Sequence, residues 1–350
     1  MRTIYINGRF LTQPMRGVNR FAYNICKAMA GLEQPFVIVC PSCNVHSDYN
    51  ISMFQIVHFG IGHSHLWEQI ILPFFFIGKR NYLLINLTGL GTILIRQKIT
   101  TIHDLSFLEN PSWFSRSYYR FYRVMTPLAV RTSRHIITVS EFSKNEILRF
   151  YPSVKASRVS VVYNAVDTDL FHPMSGASES RYALTVSSID PRKNFRRLIE
   201  AYKGIEGLKL YIVGSHSRVF GEQTGSLDKS CNVKYLGRVS DEELVRLYSQ
   251  ARCFIFPSLY EGFGLPPLEA MACGCPVLAS DIPVLREVCG DAAVYFDPRL
   301  VNGMYETISQ FLNEGQDYME QLRKNGMENV KRFSMEQSAF AFVQVIRQCV

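Results

Sequence analysis

The sequence FPSLYEGFGLPPLEAMACG, at residues 256–274, runs from an apolar strand through a glycine-containing turn into a helix. Two prolines stand at the start of that helix, and Gly274 is typical of the position just after a helix end. Gly262 and Gly264 permit a sharp turn and leave no Cβ between the backbone and a ligand. The unpaired N–H groups at the start of such a helix favour an anion, above all a phosphate. The segment therefore predicts an anion site at the turn.

Short β-rich runs alternate with helical patterns on both sides of this segment, which predicts parallel sheets built from βα units. Several runs are apolar throughout, as expected for strands covered on both faces. In the first half the predicted strands are 3–6, 36–40, 82–87, 98–103 and 135–139, and the predicted helices are 20–32 and 142–149. Ser140 is the predicted N-cap of the second of these helices. In the second half the predicted strands are 182–186, 208–213, 233–236, 253–256 and 276–279, and the helices are 195–202, 241–250 and 266–273. The fold class is therefore α/β, with two Rossmann-like, doubly wound domains facing each other across a cleft.

The length of 350 residues suits two domains of ordinary size. A polar stretch with Pro, Gly and Ser at 166–178 is the best candidate for the linker. We therefore predict one domain at 1–167, a second at 168–334 and a final amphipathic helix at 335–350.

Composition narrows the class of protein and its partners. Hydrophobic residues make up 47% of the chain and charged residues 19%, which excludes intrinsic disorder. No run reaches the roughly 20 apolar residues that span a bilayer, and the start lacks the features of a signal peptide. We therefore expect a soluble cytosolic chain whose nine cysteines are reduced thiols. The net charge of +8 favours anionic partners such as sugar nucleotides, phospholipids or nucleic acid.

Two acidic residues accompany the predicted anion site. Glu261 directly precedes the turn, and Glu269 lies about one turn into the helix. Carboxylates accept hydrogen bonds from sugar hydroxyls, so one could hold a ribose and the other a second sugar. The alternative is that both carboxylates are solvated and the glycines only form a turn. The combination of acids, glycines and prolines favours the functional interpretation.

Glu261 and Glu269, with seven residues between them, resemble the double-glutamate motif of the family 4 retaining glycosyltransferases. That family has the GT-B fold, two Rossmann-like domains with the active site between them, and includes enzymes of bacterial polysaccharide and O-antigen synthesis. Further motifs in the same order carry the resemblance over nearly the whole chain, at 17–21, 101–105, 138–143, 163–167, 190–194 and 235–240. By analogy with the family, the final helix crosses back to the first domain.

The resemblance implies a role for each matching residue. Glu269 would bind the ribose of a nucleotide-diphosphate sugar and Glu261 would contact the donor sugar. Lys193, with Arg192 beside it, would neutralise the leaving diphosphate, and His103 would stabilise positive charge at the anomeric carbon. The other donor-binding residues would be Gly17, Gly237, Arg238, Val239, Gly262, Phe263, Gly264 and Leu265.

Simpler interpretations remain for several of these residues. Arg192 and Lys193 would also suit a solvated helix start, His103 a core histidine and Gly17 a plain turn glycine. Many relatives carry a further arginine six positions before the lysine, where this chain has Ser187.

The resemblance also implies the reaction, in which the leaving diphosphate departs and the acceptor attacks on the same face of the sugar. No metal or other cofactor is needed, because cations and N–H groups stabilise the developing charge. The Asp-x-Asp pattern at Asp167 and Asp169 lies in the predicted linker, and we interpret it as a turn and helix cap. The sequence favours a GDP-mannose-like donor but leaves another GDP-sugar and the UDP-sugars open.

A segment that begins at Trp113 is rich in aromatic residues and arginines. Six aromatic residues and five arginines occur between Trp113 and Arg134 without an acidic residue. Such a pattern suits contact with an anionic membrane surface. Core packing of the aromatic rings and binding of nucleic acid are the alternatives, and the small charge surplus disfavours nucleic acid. The candidates for contact with the membrane or acceptor are Arg116, Tyr119, Arg120 and Arg123.

These observations predict a retaining, metal-independent hexosyltransferase that is peripheral at the inner face of the plasma membrane. Its acceptor would be a hydroxyl of a growing, lipid-linked surface polysaccharide. An NAD-dependent oxidoreductase is disfavoured because no Gly-x-Gly-x-x-Gly follows the first strand. A non-catalytic two-domain protein that binds nucleotides or sugars remains the alternative.

Overall fold

The computed structural model describes residues 2–15, 17–62, 64–174, 182–214 and 232–349. The chain divides into two compact units, one made of Met1–Ala165 with Met335–Val350 and the other of Val166–Ser334.

The first unit contains a seven-stranded parallel sheet with the strand order β3-β2-β1-β4-β5-β6-β7. Its strands are β1 (Thr3–Asn7), β2 (Val37–Cys40), β3 (Ile56–His58), β4 (Tyr82–Asn86), β5 (Lys98–Thr101), β6 (His135–Thr138) and β7 (Val159–Val161). Its α-helices are α1 (Gly17–Gly31), α2 (Ser64–Leu66), α3 (Leu72–Phe75), α4 (Ser106–Glu109), α5 (Arg116–Thr132), α6 (Glu141–Phe150) and the last helix of the chain (Met335–Cys349). A π-helical turn (Trp67–Ile71) joins α2 to α3.

The second unit contains a six-stranded parallel sheet with the order β10-β9-β8-β11-β12-β13. Its strands are β8 (Tyr182–Val186), β9 (Lys209–Val213), β10 (Val233–Gly237), β11 (Cys253–Phe256), β12 (Val277–Ser280) and β13 (Ala293–Phe296). Its α-helices are α7 (Phe195–Tyr202), α8 (Asp241–Gln250), α9 (Leu265–Ala272), α10 (Pro283–Cys289), α11 (Val301–Leu312) and α12 (Gln316–Val330). The last helix of the chain is therefore α13.

The predicted α/β fold with two doubly wound, Rossmann-like domains is confirmed. The described strands that the sequence did not predict are β3, β7 and β13, and each lies at the edge of its sheet. Edge strands are covered less completely, and all three contain half-buried positions. In addition, β3 and β7 each contain a polar residue, His58 and Ser160, which interrupts the apolar run typical of buried strands.

Local sequence signals fix several helix starts. The predicted cap at Ser140 is confirmed, because its hydroxyl accepts a hydrogen bond of 3.0 Å from the N–H of Ser143 at the start of α6. Ser115 caps α5 in the same way, accepting from the N–H of Tyr118 at 3.3 Å. The predicted strand at 98–103 was too long, since β5 ends at Thr101.

The last helix, α13, is part of the first unit and packs against α1. The guanidinium of Arg2 donates a hydrogen bond of 2.7 Å to the carbonyl of Cys349. The hydroxyl of Ser338 donates one of 2.6 Å to the carbonyl of Tyr163. Residues at both ends of the sequence therefore belong to one structural unit.

Within the described ranges, none of the helices combines the length and the apolar character that crossing a membrane requires.

We predict that Gly214→Ala destabilises the second unit. A Cβ at Gly214, just after β9, would lie 1.8 Å from the carbonyl oxygen of Ser187. Overpacking of this kind costs about 2 kcal/mol, so the midpoint of urea denaturation should fall. Gly315→Ala is the control, because a Cβ there meets no atom within 4 Å. Equal midpoints for wild type and Gly214→Ala would contradict this prediction.

Candidate active site

The carboxyl ends of β8 and β11 form the centre of the candidate site. These two strands are neighbours at the point where the strand order of the second sheet reverses. Open α/β sheets bind ligands outside the carboxyl ends of the strands at such a point. The chain leaves β8 at Val186 and then reaches Lys193, whereas it leaves β11 at Phe256 and then reaches Glu261. The two loops therefore bring opposite charges to the same edge.

Backbone and amide hydrogen bonds hold the loop that carries Lys193. The carboxylate of Asp190 accepts from the N–H of Arg192 at 3.1 Å and caps a 3-10 turn. Asn194 follows in the left-handed conformation, which asparagine adopts more readily than most residues. Its buried side-chain amide donates to the carbonyls of Pro257 at 3.1 Å and Pro298 at 2.7 Å. These bonds fasten the Lys193 loop to the chain that leaves β11.

Lys193 and Glu261 form a buried ion pair. The Nζ of Lys193 lies 2.5 Å from Oε1 of Glu261, and Nη1 of Arg192 lies 3.5 Å from Oε2. Only 7% of Lys193 and 8% of Glu261 is exposed. The guanidinium of Arg192 also donates to the carbonyl of Tyr260 at 3.3 Å. The ammonium of Lys193 is 5.4 Å from the ring centroid of Phe256. Both cations therefore sit beside one carboxylate.

The cations keep Glu261 ionised. Burial alone raises the pKa of Glu261, but the charges of Lys193 and Arg192 and their hydrogen bonds outweigh it and lower the pKa below its ordinary value. An ionised carboxylate offers only acceptor oxygens. Glu261 is therefore suited to accept hydrogen bonds from sugar hydroxyls.

The start of α9 presents backbone donors next to Glu261. Gly264 has φ 119° and ψ 53°, and a Cβ there would lie 2.7 Å from Cδ2 of Leu285, so glycine is required. In this described part of the chain no side chain caps α9. Pro266 and Pro267 follow Leu265 and have no N–H. The N–H groups of Gly264 and Leu265 are thus the donors that the first turn of this helix offers to a ligand.

Glu269 is also buried, one turn into α9, with 8% of the residue exposed. The phenol of Tyr248 donates a hydrogen bond of 3.4 Å to its Oε2. Burial, together with the charge of Glu269, raises the pKa of Tyr248 well above its ordinary value, so the phenol keeps its proton. Tyr248 therefore orients the carboxylate.

The ends of β8, β9 and β10 are joined at the same edge. The N–H of Ser187 donates to the carbonyl of Val213 at 3.0 Å, and the N–H of Gly214 donates to that of Gly237 at 2.8 Å. Gly237 has φ 73°, the left-handed region that glycine adopts without strain. Beyond it, Arg238 is exposed and Val239 is half-buried.

His103 lies in the first unit, two residues after β5. Its Nε2 donates to the carbonyl of Leu87 at 2.8 Å, because a carbonyl can only accept, and its ring contacts that of Phe21 edge-on at 5.0 Å. Burial lowers the pKa of His103, although the carbonyl of Leu87 and the charge of Asp104 oppose this. The imidazole is therefore neutral, with its proton on Nε2.

Gly17 opens α1 in the first unit with φ 39°, and a Cβ there would meet nothing within 4 Å. The residue is exposed, so open space surrounds the start of this helix.

The four candidates for contact with the membrane or acceptor differ in exposure. Arg116, Arg120 and Arg123 are exposed on α5, whereas Tyr119 is half-buried and packs against the core cluster behind α5. The guanidinium of Arg123 donates to the phenol oxygen of Tyr119 at 3.2 Å. The segment thus combines core packing with an exposed basic surface.

Among the described residues, no group of three or more His, Cys, Asp or Glu side chains could hold a metal ion. The carboxylate of Asp167 instead accepts from the N–H of Leu170 at 3.3 Å, as a turn-capping residue does.

The structure therefore brings Arg192, Lys193 and Glu261 into direct contact. Sequence reasoning missed Tyr248 and Asn194. Asn194 follows Lys193 in a motif that was already recognised, and asparagine in a turn is a signal for the left-handed conformation. Tyr248 carried no signal, since it reaches Glu269 from another helix, α8.

Models of two families match the chain, one in each unit. The family Glycosyl transferases group 1 matches residues 168–329, and Glycosyltransferase Family 4 matches residues 15–170. The chain belongs to glycosyltransferase family 4. This protein is therefore a glycosyltransferase with the GT-B fold.

Two relatives and one solved structure illustrate the similarity. The glycosyltransferase is 33% identical to O-antigen chain mannosyltransferase B of Escherichia coli over 261 residues, which are 69% of this chain and 68% of the relative. It is 34% identical to O-antigen chain mannosyltransferase RfbU of Salmonella typhimurium over 210 residues, 59% of this chain and 58% of that relative. The Anabaena protein HepE, solved in complex with UDP-glucose, has a TM-score of 0.75 at 17% identity and covers 99% of this chain and 100% of its own.

We predict that Glu261→Gln loses stability in a pH-dependent way. The folded-state pKa of Glu261 lies below the ordinary value of 4.5, so its charge stabilises the fold fully above pH 4.5. That contribution disappears as the pH falls through the folded-state pKa. At pH 7 the variant should lose about 3 kcal/mol, because the buried Lys193 and the half-buried Arg192 lose their carboxylate partner.

The measurement is Tm against pH, with Glu306→Gln as the control because Glu306 is exposed. The difference in Tm between wild type and Glu261→Gln should shrink below pH 4.5. A difference that stays constant down to pH 3 would show that the carboxylate charge does not stabilise the fold.

Proposed function

We propose that this glycosyltransferase transfers a hexose, with retention of anomeric configuration, from a nucleotide-diphosphate sugar to a hydroxyl of a growing surface polysaccharide. The observation that carries the proposal is the contact of Arg192, Lys193 and Glu261 at the carboxyl edge of the second sheet. Next to it, α9 begins with N–H groups that no side chain caps within the described residues.

In the proposed reaction the bond between the anomeric carbon and the diphosphate breaks as the acceptor oxygen attacks on the same face. The acceptor proton passes to an oxygen of the leaving diphosphate. Lys193 and Arg192, with the N–H groups of Gly264 and Leu265, would stabilise the negative charge that develops on this leaving group. In this scheme the side chains supply the cations, so the reaction is independent of a metal.

Hydrogen bonds to the donor would come from both glutamates. Glu261 is ionised and would accept from hydroxyls of the transferred sugar. Glu269, whose carboxylate Tyr248 orients, would accept from the ribose. For His103 we propose contact with the transferred sugar, as the family resemblance implies. Gly17, Gly237, Arg238 and Val239 keep their proposed roles in binding the nucleotide and phosphates.

The similarity to two O-antigen chain mannosyltransferases supports mannose as the transferred sugar. We further propose a GDP-mannose-like donor and a lipid-linked acceptor at the inner face of the plasma membrane. The exposed Arg116, Arg120 and Arg123 on α5 would then contact anionic head groups.

We predict that Lys193→Ala reduces catalysis by about 10²- to 10³-fold in kcat, the effect of removing one preorganised charge-stabilising donor. The measurement is release of nucleoside diphosphate from GDP-mannose, and from UDP-glucose in parallel, with an acceptor oligosaccharide present. Lys203→Ala is the control, because that lysine is exposed and its ammonium lies 2.7 Å from the carboxylate of Glu200 on the same helical segment.

Wild-type turnover by Lys193→Ala would contradict the proposed role of the lysine. Tight binding of a nucleotide sugar by the wild-type protein without any release would instead favour the non-catalytic alternative. The Tm of Lys193→Ala, measured in the assay buffer, separates lost chemistry from lost folding.

We predict that changing Arg116, Arg120 and Arg123 together to Ala weakens binding to anionic vesicles at least tenfold. A basic residue near an anionic surface contributes about 1 kcal/mol. The measurement is sedimentation with phosphatidylglycerol vesicles. The control changes Arg299, Lys324 and Arg347 to Ala, which removes the same charge from exposed positions elsewhere. If both triple variants lose vesicle binding equally, the loss reflects only net charge, and the proposed role of the α5 arginines is contradicted.

A further inference from the structure

An exposed stripe of large apolar side chains lies on segment 64–77 of the first unit, which is helical as far as Phe75 and ends in a turn. Leu66, Ile70, Phe74 and Ile77, which we call the 66–77 stripe, recur at helical spacing and are all exposed. The opposite face of the same segment is buried, with Trp67, Leu72 and Phe76 in a core cluster. The segment is therefore apolar on both faces.

A helix that is apolar all round is normally buried in a core or in lipid. In a soluble helix of this kind the exposed face would be polar. Here the exposed side of the segment carries an isoleucine that is 50% exposed, Ile70, and a phenylalanine that is 58% exposed, Phe74. Contiguous exposed apolar surface of this sort marks a site of interaction.

Hydrogen bonds hold neighbouring apolar residues beside the stripe. The side chain of Gln69 donates to the carbonyl of Gly91 at 2.7 Å and accepts from the N–H of Ile93 at 3.0 Å. The next residue, Leu94, is 74% exposed. The loop that follows β4 therefore extends the apolar surface.

His65 joins the segment to α5. Its Nδ1 lies 3.0 Å from Oε2 of Glu68 and its Nε2 lies 3.2 Å from the phenol of Tyr122. Its ring is 5.2 Å from that of Phe121. Beyond this contact, Phe121, Val124 and Leu128 are exposed on α5. A second exposed apolar row thus starts where the 66–77 stripe starts.

The charge around these rows is positive. Lys79 and Arg80 follow the stripe, Arg96 follows Leu94, and all three are exposed. Between residues 61 and 97 the one acidic residue in the sequence is Glu68, which is buried beside His65, Arg9 and Asn7. Two copies of such a face would repel each other, whereas an anionic lipid surface would attract it.

We propose that the 66–77 stripe inserts among the acyl chains at the surface of an anionic phospholipid membrane. The surrounding lysine and arginines then lie at the level of the head groups. This inference rests on the proposed function in one respect, the membrane-bound acceptor. The inference goes further because it names the segment that enters the lipid. That segment, 66–77, is separate in the sequence from the arginines of α5.

The test compares two matched double variants in flotation with vesicles of equal parts phosphatidylglycerol and phosphatidylcholine. Ile70→Ser with Phe74→Ser should reduce the partition coefficient about tenfold or more, because apolar insertion is lost. Leu32→Ser with Phe340→Ser is the control, since these residues of the same unit are 48% and 60% exposed. The control should bind as wild type does.

Insertion depth provides a second readout. A tryptophan at position 74, made by Phe74→Trp, should be quenched by brominated phospholipids more than one made by Phe340→Trp. Undiminished vesicle binding by Ile70→Ser with Phe74→Ser, or equal quenching at both positions, overturns the proposal. A third result would also overturn it: the wild-type protein is a dimer in sedimentation velocity and the double serine variant is a monomer. The stripe would then face a second copy of the chain.

The outcome is separable from that of the proposed function. Nucleoside diphosphate release with a short, water-soluble acceptor should remain at the wild-type rate in Ile70→Ser with Phe74→Ser. If the wild-type protein shows no such release, the proposed function fails while the vesicle result still decides the role of the stripe.

Discussion

The buried ion pair between Lys193 and Glu261 constrains the carboxyl edge of the sheet in the second unit. Each charge loses several kcal/mol of hydration on burial, and only well-placed partners offset that loss. Arg192 and the hydrogen bonds of Asn194 supply this placement by fixing the loop after β8 to the chain after β11. The ion pair therefore keeps the ammonium of Lys193 at the strand ends. A hydrophobic pair at the same two positions would leave no cation there. A diphosphate would compete with Glu261 for that cation.

The first unit places polar groups at the corresponding edge. Its strand order also reverses between β1 and β4, and Asn7 and Asn86 stand at the carboxyl ends of these two strands. The amide of Asn7 donates to Glu68 at 2.7 Å and to Asn86 at 3.0 Å, and Arg9 lies 3.4 Å from Glu68. In both sheets these polar residues lie at the point where the strand order reverses.

The sequence predicted the features whose cause is local. Several central strands are apolar throughout, Ser140 caps its helix, and the glycines and prolines of 262–267 mark the turn before α9. The sequence did not predict the edge strands β3, β7 and β13, of which β3 and β7 contain a polar residue that interrupts the apolar pattern. Nor did it predict Tyr248, which reaches Glu269 only through packing. Contacts between segments distant in the chain depend on the tertiary fold, and a pattern within one segment does not contain them.

The segment 64–77 shows why hydropathy along the chain gives an incomplete account of a surface. Its apolar run is too short to span a bilayer and has the composition of a core helix. Burial divides it, however, because Trp67, Leu72 and Phe76 point into the core while Ile70 and Phe74 remain exposed. A helix packed on one side against a sheet can bury only one face. In our proposal the second apolar face meets a partner outside the unit, and the cations beside it favour one with negative charge.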